Sequence, residues 1–135
     1  MWTTLAGVVD VVGVTYYPGT TGFQVRPPED VYADFDKIAT TFPGSRILLQ
    51  EVGYQTAEAC GSSDALQEAF YSHVSCAWDQ HASQFEALNI VRLHDVSRSD
   101  AEDMAGPYGL NEEPSWSTYA LSGFVPTRGS TNRGS

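Results

Sequence analysis

The chain is short of basic residues, and this shortage limits what it can bind. Lysine occurs once, at Lys37, and lysine plus arginine number 7 against 17 aspartate plus glutamate, for a formal net charge of -10 at pH 7. Binding to nucleic-acid phosphates or to an anionic membrane surface needs clustered cations. The composition therefore argues against both of these partners, and a neutral ligand fits it better.

Cysteines and long apolar runs are also scarce. Cys60 and Cys76 are the only cysteines and form no C-x-x-C motif, so zinc binding and dithiol redox chemistry have no support. The pair allows either one disulfide or two ordinary thiols. No apolar run approaches the roughly 20 residues that span a bilayer, and the first residues lack the pattern of a secretion signal. We expect a soluble chain that needs no metal and no cofactor.

The sequence alternates between predicted strands and predicted helices. An apolar, β-branched run at residues 8–17 predicts a first buried strand, and residues 46–52 and 90–94 predict a second and a third. Between the strands, apolar residues recur at helical spacing from Val31 to Phe42 and from Leu66 to Trp78. The pattern therefore predicts parallel strands with intervening helices.

The spacing of these elements favours one α/β architecture. From Tyr17 to Glu51 is 34 residues and from Glu51 to His94 is 43, which is typical of the βα units of a doubly wound sheet or a (β/α)8 TIM barrel. No glycine-rich phosphate-binding motif follows a strand, so the barrel is favoured. A complete barrel takes about 250 residues, so this chain predicts a partial barrel over residues 1–125, with a disordered tail at 126–135.

Glu51 is the sharpest candidate for a functional residue. Barrel enzymes bind ligands at the carboxyl ends of their strands, and Glu51 directly follows the second apolar run. Burying an unpaired carboxylate at that point would be costly. Glu51 is therefore either a functional carboxylate or a strand-end carboxylate that faces solvent or pairs with Arg46 or Arg92.

Tyr17 closes the first predicted strand in the same way. Because side chains alternate along a strand, Tyr17 shares a face with Thr15 and Gly13, whereas Tyr16 points to the other face and is expected to pack in the core. The Tyr17 hydroxyl either reaches the mouth of the barrel and hydrogen-bonds a carboxylate, or the ring covers a layer of the core. Both interpretations stay open at this point.

Four segments, taken in order, resemble a known family. They are DVVGVTYYP at 10–18, ILLQEVGY at 47–54, VRLHD at 91–95 and YGLNEEPSW at 108–116. Together they resemble the last three βα units of clan A glycoside hydrolases, which are (β/α)8 barrels, and the cellulase-like and galactanase-like members are the most similar. The resemblance covers roughly residues 8–124 but only the C-terminal part of such a barrel.

The resemblance implies a retaining glycoside hydrolase that cleaves O-glycosidic bonds of a polysaccharide or oligosaccharide. Glu51 matches the catalytic nucleophile, and Tyr17 matches the aromatic residue that contacts it. A second carboxylic acid must protonate the leaving oxygen from about 5 Å away. In the family this acid/base lies at the end of strand four, upstream of Met1 here, and Asn111-Glu112 is not its match. The family also suggests a secreted or extracytoplasmic protein.

Four further residues are candidate sugar contacts under this resemblance. Tyr54 follows Glu51 by three residues, and Phe23 lies in the loop after the first predicted strand. Each aromatic ring offers a face on which a sugar can stack. His94 and Asp95 end the third predicted strand, where they either hydrogen-bond sugar hydroxyls or organise the loop.

Two other functions stay open. A non-catalytic carbohydrate-binding or self-assembling half-barrel module would reuse the same βα units, and the missing acid/base favours it for the isolated chain. A small doubly wound protein unrelated to sugars would make Glu51 an incidental strand-end residue. Three strands cannot close a barrel and leave edges that can pair. We therefore expect either self-association or a missing N-terminal half that completes the barrel.

Overall fold

A computed structural model describes residues 8–91, together with residues 100 and 103. The elements appear in the order β1 (Val11–Tyr16), α1 (Asp30–Thr41), β2 (Arg46–Val52), a 3₁₀ helix (Glu58–Cys60), α2 (Asp64–Gln80) and β3 (Phe85–Ile90). The prediction of parallel strands with intervening helices is confirmed for this part of the chain. Its two helices begin and end within two residues of the predicted bounds.

β2 is the central strand of a three-stranded sheet, and both of its neighbours run parallel to it. A helix connects each strand to the next, so the described residues form a β-α-β-α-β unit with the strands side by side in chain order. Both a (β/α)8 barrel and one half of a doubly wound sheet contain such a unit. The structure therefore shows a parallel α/β fold.

The third strand does not lie where the sequence predicted it. β3 spans Phe85–Ile90, whereas the prediction was 90–94, of which residues 92–94 lie outside the described residues. Phe85 is buried against the helices, but the next two residues are exposed and only Leu88 is half-buried. The strand therefore lacks a continuous apolar run. The prediction was placed too late in the sequence because no such run marks the strand itself.

The core lies on one face of the sheet, beneath both helices. Ile47 and Leu49 of β2 are fully buried, as are Phe35 of α1 and Phe70 of α2. Aromatic rings connect the layers, since the Phe35 ring lies 5.2 Å from Phe85 on β3. Strand residues alternate between this core and the opposite side of the sheet.

We call the opposite side the open face and define it by Gly13, Thr15, Gln50 and Asn89, which are all exposed. Its polar groups bond to one another across the strands. The Gln50 amide donates to the Thr15 hydroxyl at 3.1 Å, and the Asn89 amide donates to the Gln50 carbonyl, also at 3.1 Å. The open face is therefore polar at the end where the strands finish.

A charged cluster fastens the loop after β1 to α1. Arg26 donates to the Asp34 carboxylate at 2.7 Å and to Asp30 at 3.0 Å, and the Tyr16 hydroxyl donates to the same Asp34 oxygen at 2.8 Å. Burial, followed by this bond to Asp34, raises the pKa of Tyr16. Tyr16 packs in the core, as expected from its place in the alternation, and the loop is held at both ends.

Two further observations concern the cysteines and the helices of the described residues. Cys60 is buried and Cys76 is exposed, and the two form no disulfide with each other, so the disulfide alternative is wrong for this structure. In the part of the chain that the structure describes, neither helix is long and apolar enough to cross a bilayer.

Buried tyrosines are expected to make the fold sensitive to alkali. Burial raises the pKa of Tyr71 on α2 to about 12, from an ordinary value of 10.0. Burial favours the neutral phenol in the folded state. The free energy of unfolding therefore keeps its full value below pH 10, the ordinary pKa of tyrosine, and falls as the pH rises through about 12, because the unfolded chain loses its proton first. We expect urea-unfolding curves to shift to lower urea across this range. The shift should be smaller in Tyr71→Phe, and equal shifts in the two proteins would contradict the assignment.

Candidate functional site

The carboxyl ends of β1 and β2 bring Tyr17 and Glu51 together. The two strands are parallel neighbours with Thr15 opposite Glu51, so the residues that close them lie at the same edge of the sheet. The Tyr17 hydroxyl donates to Oε2 of Glu51 at 3.2 Å. Glu51 is half-buried, and the Tyr17 side chain is 37% exposed. The two side chains are therefore in contact with each other, and both are partly exposed to solvent.

A bulge in β2 determines which way Glu51 points. Val14 pairs with Leu49 but the next residue, Thr15, pairs with Glu51, so Gln50 is an extra residue in β2. Without the bulge, simple alternation would place Glu51 on the same side as Leu49, in the core. With the bulge, Val52 takes the buried position and Glu51 is left half-buried. The bulge thus keeps the carboxylate out of the apolar core.

Tyr17 rests against Gly53, the residue that directly follows β2. A Cβ atom added to Gly53 would overlap Cε1 of the Tyr17 ring and would lie 2.9 Å from Cδ1 and 3.3 Å from Cζ. The ring therefore occupies space that any other residue at position 53 would need. The Gly53 amide also donates to the Tyr16 carbonyl at 3.2 Å, which keeps the two strand ends close.

Glu51 does not form the ion pair with Arg46 that was one of the alternatives from the sequence. Arg46, one expected partner, forms an ion pair with Glu86 of β3, and this bond lowers the pKa of Glu86. Arg92, the other expected partner, lies outside the described residues. Among the residues that the structure describes, no lysine or arginine pairs with Glu51. The contact that the described site gives to the carboxylate is the neutral hydroxyl of Tyr17.

The described residues contain no cluster of side chains that could hold a metal ion. Across residues 8–91, 100 and 103, no group of three or more histidine, cysteine, aspartate or glutamate side chains is arranged to hold an ion. Among these described residues, Glu51 and Tyr17 bring a carboxylate and a phenol to this edge. A carboxylate with an open approach can act as a nucleophile or as a base.

The structure places Tyr54 away from the site. Its ring is fully buried and stacks on Phe70 with 4.7 Å between the ring centroids. Its hydroxyl donates to the Arg26 carbonyl at 2.7 Å, and the amide of Gln67 on α2 donates to the Tyr54 carbonyl at 2.6 Å. The expectation that Tyr54 stacks on a sugar is therefore not met in this structure, because the chain turns into the core just after Gly53.

Phe23 is exposed, as a ligand-contacting ring would need to be. Its side chain is 41% exposed, and its backbone adopts φ 61°, a left-handed conformation that is unfavourable for a residue with a Cβ. The turn is held by bonds between Thr20 and both Phe23 and Gln24. It follows β1 and so belongs to the loops at the carboxyl edge of the sheet. His94 and Asp95 lie outside the described residues.

Sequence reasoning missed two of the residues that shape this site. Gln50 directly precedes Glu51 in the sequence, and it forms the bulge beside Glu51. Gly53 belongs to the segment ILLQEVGY that carries the family resemblance, but the sequence gives it no role of its own. The small residue two positions after Glu51 was the available signal for Gly53, whereas no sequence pattern marked the bulge.

Comparisons with protein-family models, with curated proteins and with solved structures found no match to this chain.

Proposed function

We propose that the described sheet belongs to a partial (β/α)8 barrel of a retaining glycoside hydrolase and that Glu51 is its nucleophile. The observation that carries the proposal is the hydrogen bond between the Tyr17 hydroxyl and Oε2 of Glu51, at the carboxyl edge of parallel strands. The motif resemblance suggests this pairing of residues, and the 3.2 Å distance between the two oxygen atoms supports it. The edge is also where barrel enzymes carry their sites.

The proposed reaction uses Glu51 in two steps. A carboxylate oxygen attacks the anomeric carbon and forms an ester bond, while the bond from that carbon to the glycosidic oxygen breaks and a second carboxylic acid protonates the leaving oxygen. Water then attacks the same carbon and loses a proton to the second group, which frees Glu51. We assign no residue of the described part of the chain to the second group.

Tyr17 has a positioning role in this proposal. By donating to Oε2, its hydroxyl fixes the rotation of the carboxylate and leaves Oε1 for the attack. Phe23 is proposed to offer its exposed ring to a sugar, and His94 and Asp95 to hydrogen-bond sugar hydroxyls. The carbohydrate is therefore expected to lie across the loops that follow the strands.

An activated fluorosugar tests the proposal without the second acid. In 2,4-dinitrophenyl 2-deoxy-2-fluoroglycosides, the leaving group departs without a proton, and the fluorine slows hydrolysis of the ester, so the glycosyl-enzyme accumulates. With the gluco and galacto forms, we expect up to one equivalent of dinitrophenolate per chain and a matching gain in protein mass. Release no faster than in buffer with both sugars, or release without a gain in mass, would rule the proposal out.

Tyr17→Phe is expected to slow this labelling about 10- to 100-fold, the usual effect of removing one hydrogen-bond donor from a reacting charged group. The measurement is the rate of dinitrophenolate release by the two proteins. Tyr32→Phe is the matched control, because the Tyr32 hydroxyl bonds to His73 between the helices rather than to Glu51. Equal rates for Tyr17→Phe and the unaltered chain would remove Tyr17 from the site.

A second candidate, the self-associating half-barrel module, is favoured by the exposure of the open face. Its residues meet solvent, and Val11 and Ile90 at the two outer strands are 37% and 38% exposed. Sedimentation equilibrium at rising concentration is expected to give a multiple of the 14.7 kDa chain mass. A monomer throughout, with a cooperative melt, would count against both the module and the partial barrel.

A further inference from the structure

We infer that Gly53 is a positioning residue whose missing side chain holds the Tyr17 ring where its hydroxyl reaches Glu51. The catalytic consequence of this inference rests on the proposed function, whereas the contact itself does not. Position 53 lies two residues after Glu51 on the chain, and Tyr17 lies on the neighbouring strand end. One small residue thus links the strand that carries the carboxylate to the ring that contacts it.

Backbone conformation does not explain the glycine. Among the described residues, the glycines with left-handed φ are Gly44 and Gly61, and Gly53 is not one of them. Any residue could adopt its backbone angles without the strain that makes glycine necessary in tight turns. The requirement for glycine at position 53 therefore comes from the space that its side chain would fill.

That space is occupied by the Tyr17 ring. An added Cβ would overlap Cε1, and its distances of 2.9 Å to Cδ1 and 3.3 Å to Cζ are too short for unstrained packing. All three atoms belong to the phenol ring, so a methyl group at position 53 must displace the ring itself. The ring is 37% exposed, so a displaced ring can move toward solvent.

Displacing the ring breaks the bond to Glu51. The hydroxyl is carried on Cζ, and the bond to Oε2 is already long at 3.2 Å, so a shift of the ring by about 1 Å takes the oxygen atoms out of hydrogen-bond range. Gly53→Ala is therefore expected to act as Tyr17→Phe does, although the phenol is still present. The fold should survive, because the displaced side chain lies at the edge of the sheet and outside the apolar core.

The test has one arm that needs no activity. In the unaltered 135-residue chain, nuclear Overhauser effects should connect the Tyr17 ring protons to the Gly53 Hα protons and to the Glu51 side chain. In Gly53→Ala, the effects to Glu51 should disappear while those among core rings persist. Tyr17-to-Glu51 effects of unchanged strength in Gly53→Ala would overturn the inference, whether or not the protein reacts with any glycoside.

The second arm measures fluorosugar labelling and supports the inference only through non-additivity. Gly53→Ala should slow labelling about 10- to 100-fold, like Tyr17→Phe, and the double variant should be no slower than Tyr17→Phe alone, because both changes remove the same bond. Multiplied effects in the double variant would overturn the inference. Absence of labelling in the unaltered chain would instead refute the proposed function and leave the first arm to decide.

Gly19→Ala is the matched control for both arms. Gly19 also lies in the segment that follows a strand, but a Cβ added there would meet only the Gln24 carbonyl, at 3.7 Å, which is an ordinary contact distance. It should keep the Tyr17-to-Glu51 effects and label within about twofold of the unaltered chain. If the Tyr17-to-Glu51 effects were lost in Gly19→Ala as well, the ring would respond to any added methyl group. Gly53 would then have no specific role in positioning it.

Discussion

Glu51→Gln is expected to lower the rate of fluorosugar labelling at least about a thousandfold, the largest effect of any single substitution in the site. An amide oxygen is a poor nucleophile, and glutamine matches glutamate in size, so the change removes the chemistry while preserving the shape. Glu51 is half-buried beside Tyr17, whose hydroxyl can still donate to the amide oxygen. The measurement is the rate at which protein mass increases by one fluorosugar.

Glu86→Gln provides the matched control for that experiment. Glu86 is an exposed glutamate on the adjacent strand β3, and its partner is Arg46. Removing its charge should leave labelling within about twofold of the unaltered chain. If Glu51→Gln labels as fast as Glu86→Gln, the carboxylate at position 51 is not the nucleophile.

Phe70→Ala is expected to cost about 3–5 kcal/mol of unfolding free energy, the usual loss when a buried phenylalanine is truncated. The Phe70 ring is fully buried and connects three other rings at centroid distances of 4.7–6.1 Å, those of Tyr16, Tyr54 and Tyr71. Truncating Phe70 to alanine would leave a cavity between α2 and the sheet. Domains have about 5–15 kcal/mol of stability in total, so a large part of the fold's stability depends on this ring.

Urea unfolding followed by circular dichroism measures that loss. Phe23→Ala is the control, since Phe23 is 41% exposed and its truncation should cost less than about 1 kcal/mol. If Phe70→Ala and Phe23→Ala lowered the unfolding midpoint by the same amount, the described core would not be organised around Phe70.

Much of the fold was predictable because local pattern and tertiary structure agree there. The apolar run in β2 and the helical spacing of Phe35 and Phe70 each matched an element of the structure. β3 was misplaced because Phe85 is its only buried apolar residue and Leu88 is only half-buried. A strand at the edge of the described sheet needs little apolar sequence, so its position depends on pairing with β2 rather than on its own composition.

The candidate site was predictable only in part. Tyr17 and Glu51 could be named because each closes an apolar run, and parallel pairing then placed them at one edge. Tyr54 was misjudged because sequence distance from Glu51 says nothing about which way the chain turns after Gly53. The bulge at Gln50 and the contact between Gly53 and Tyr17 depend on strand register, and one sequence carries no direct signal of register.

The position of the covalent label tests the central claim most directly. The chain is incubated with a dinitrophenyl 2-fluoroglycoside and digested at low pH to preserve the ester, and the peptides are sequenced by tandem mass spectrometry. The proposed function predicts a single added fluorosugar, attached through the side chain of Glu51. A label on any other carboxylate, or no label at all under conditions in which the chain is folded, would contradict it.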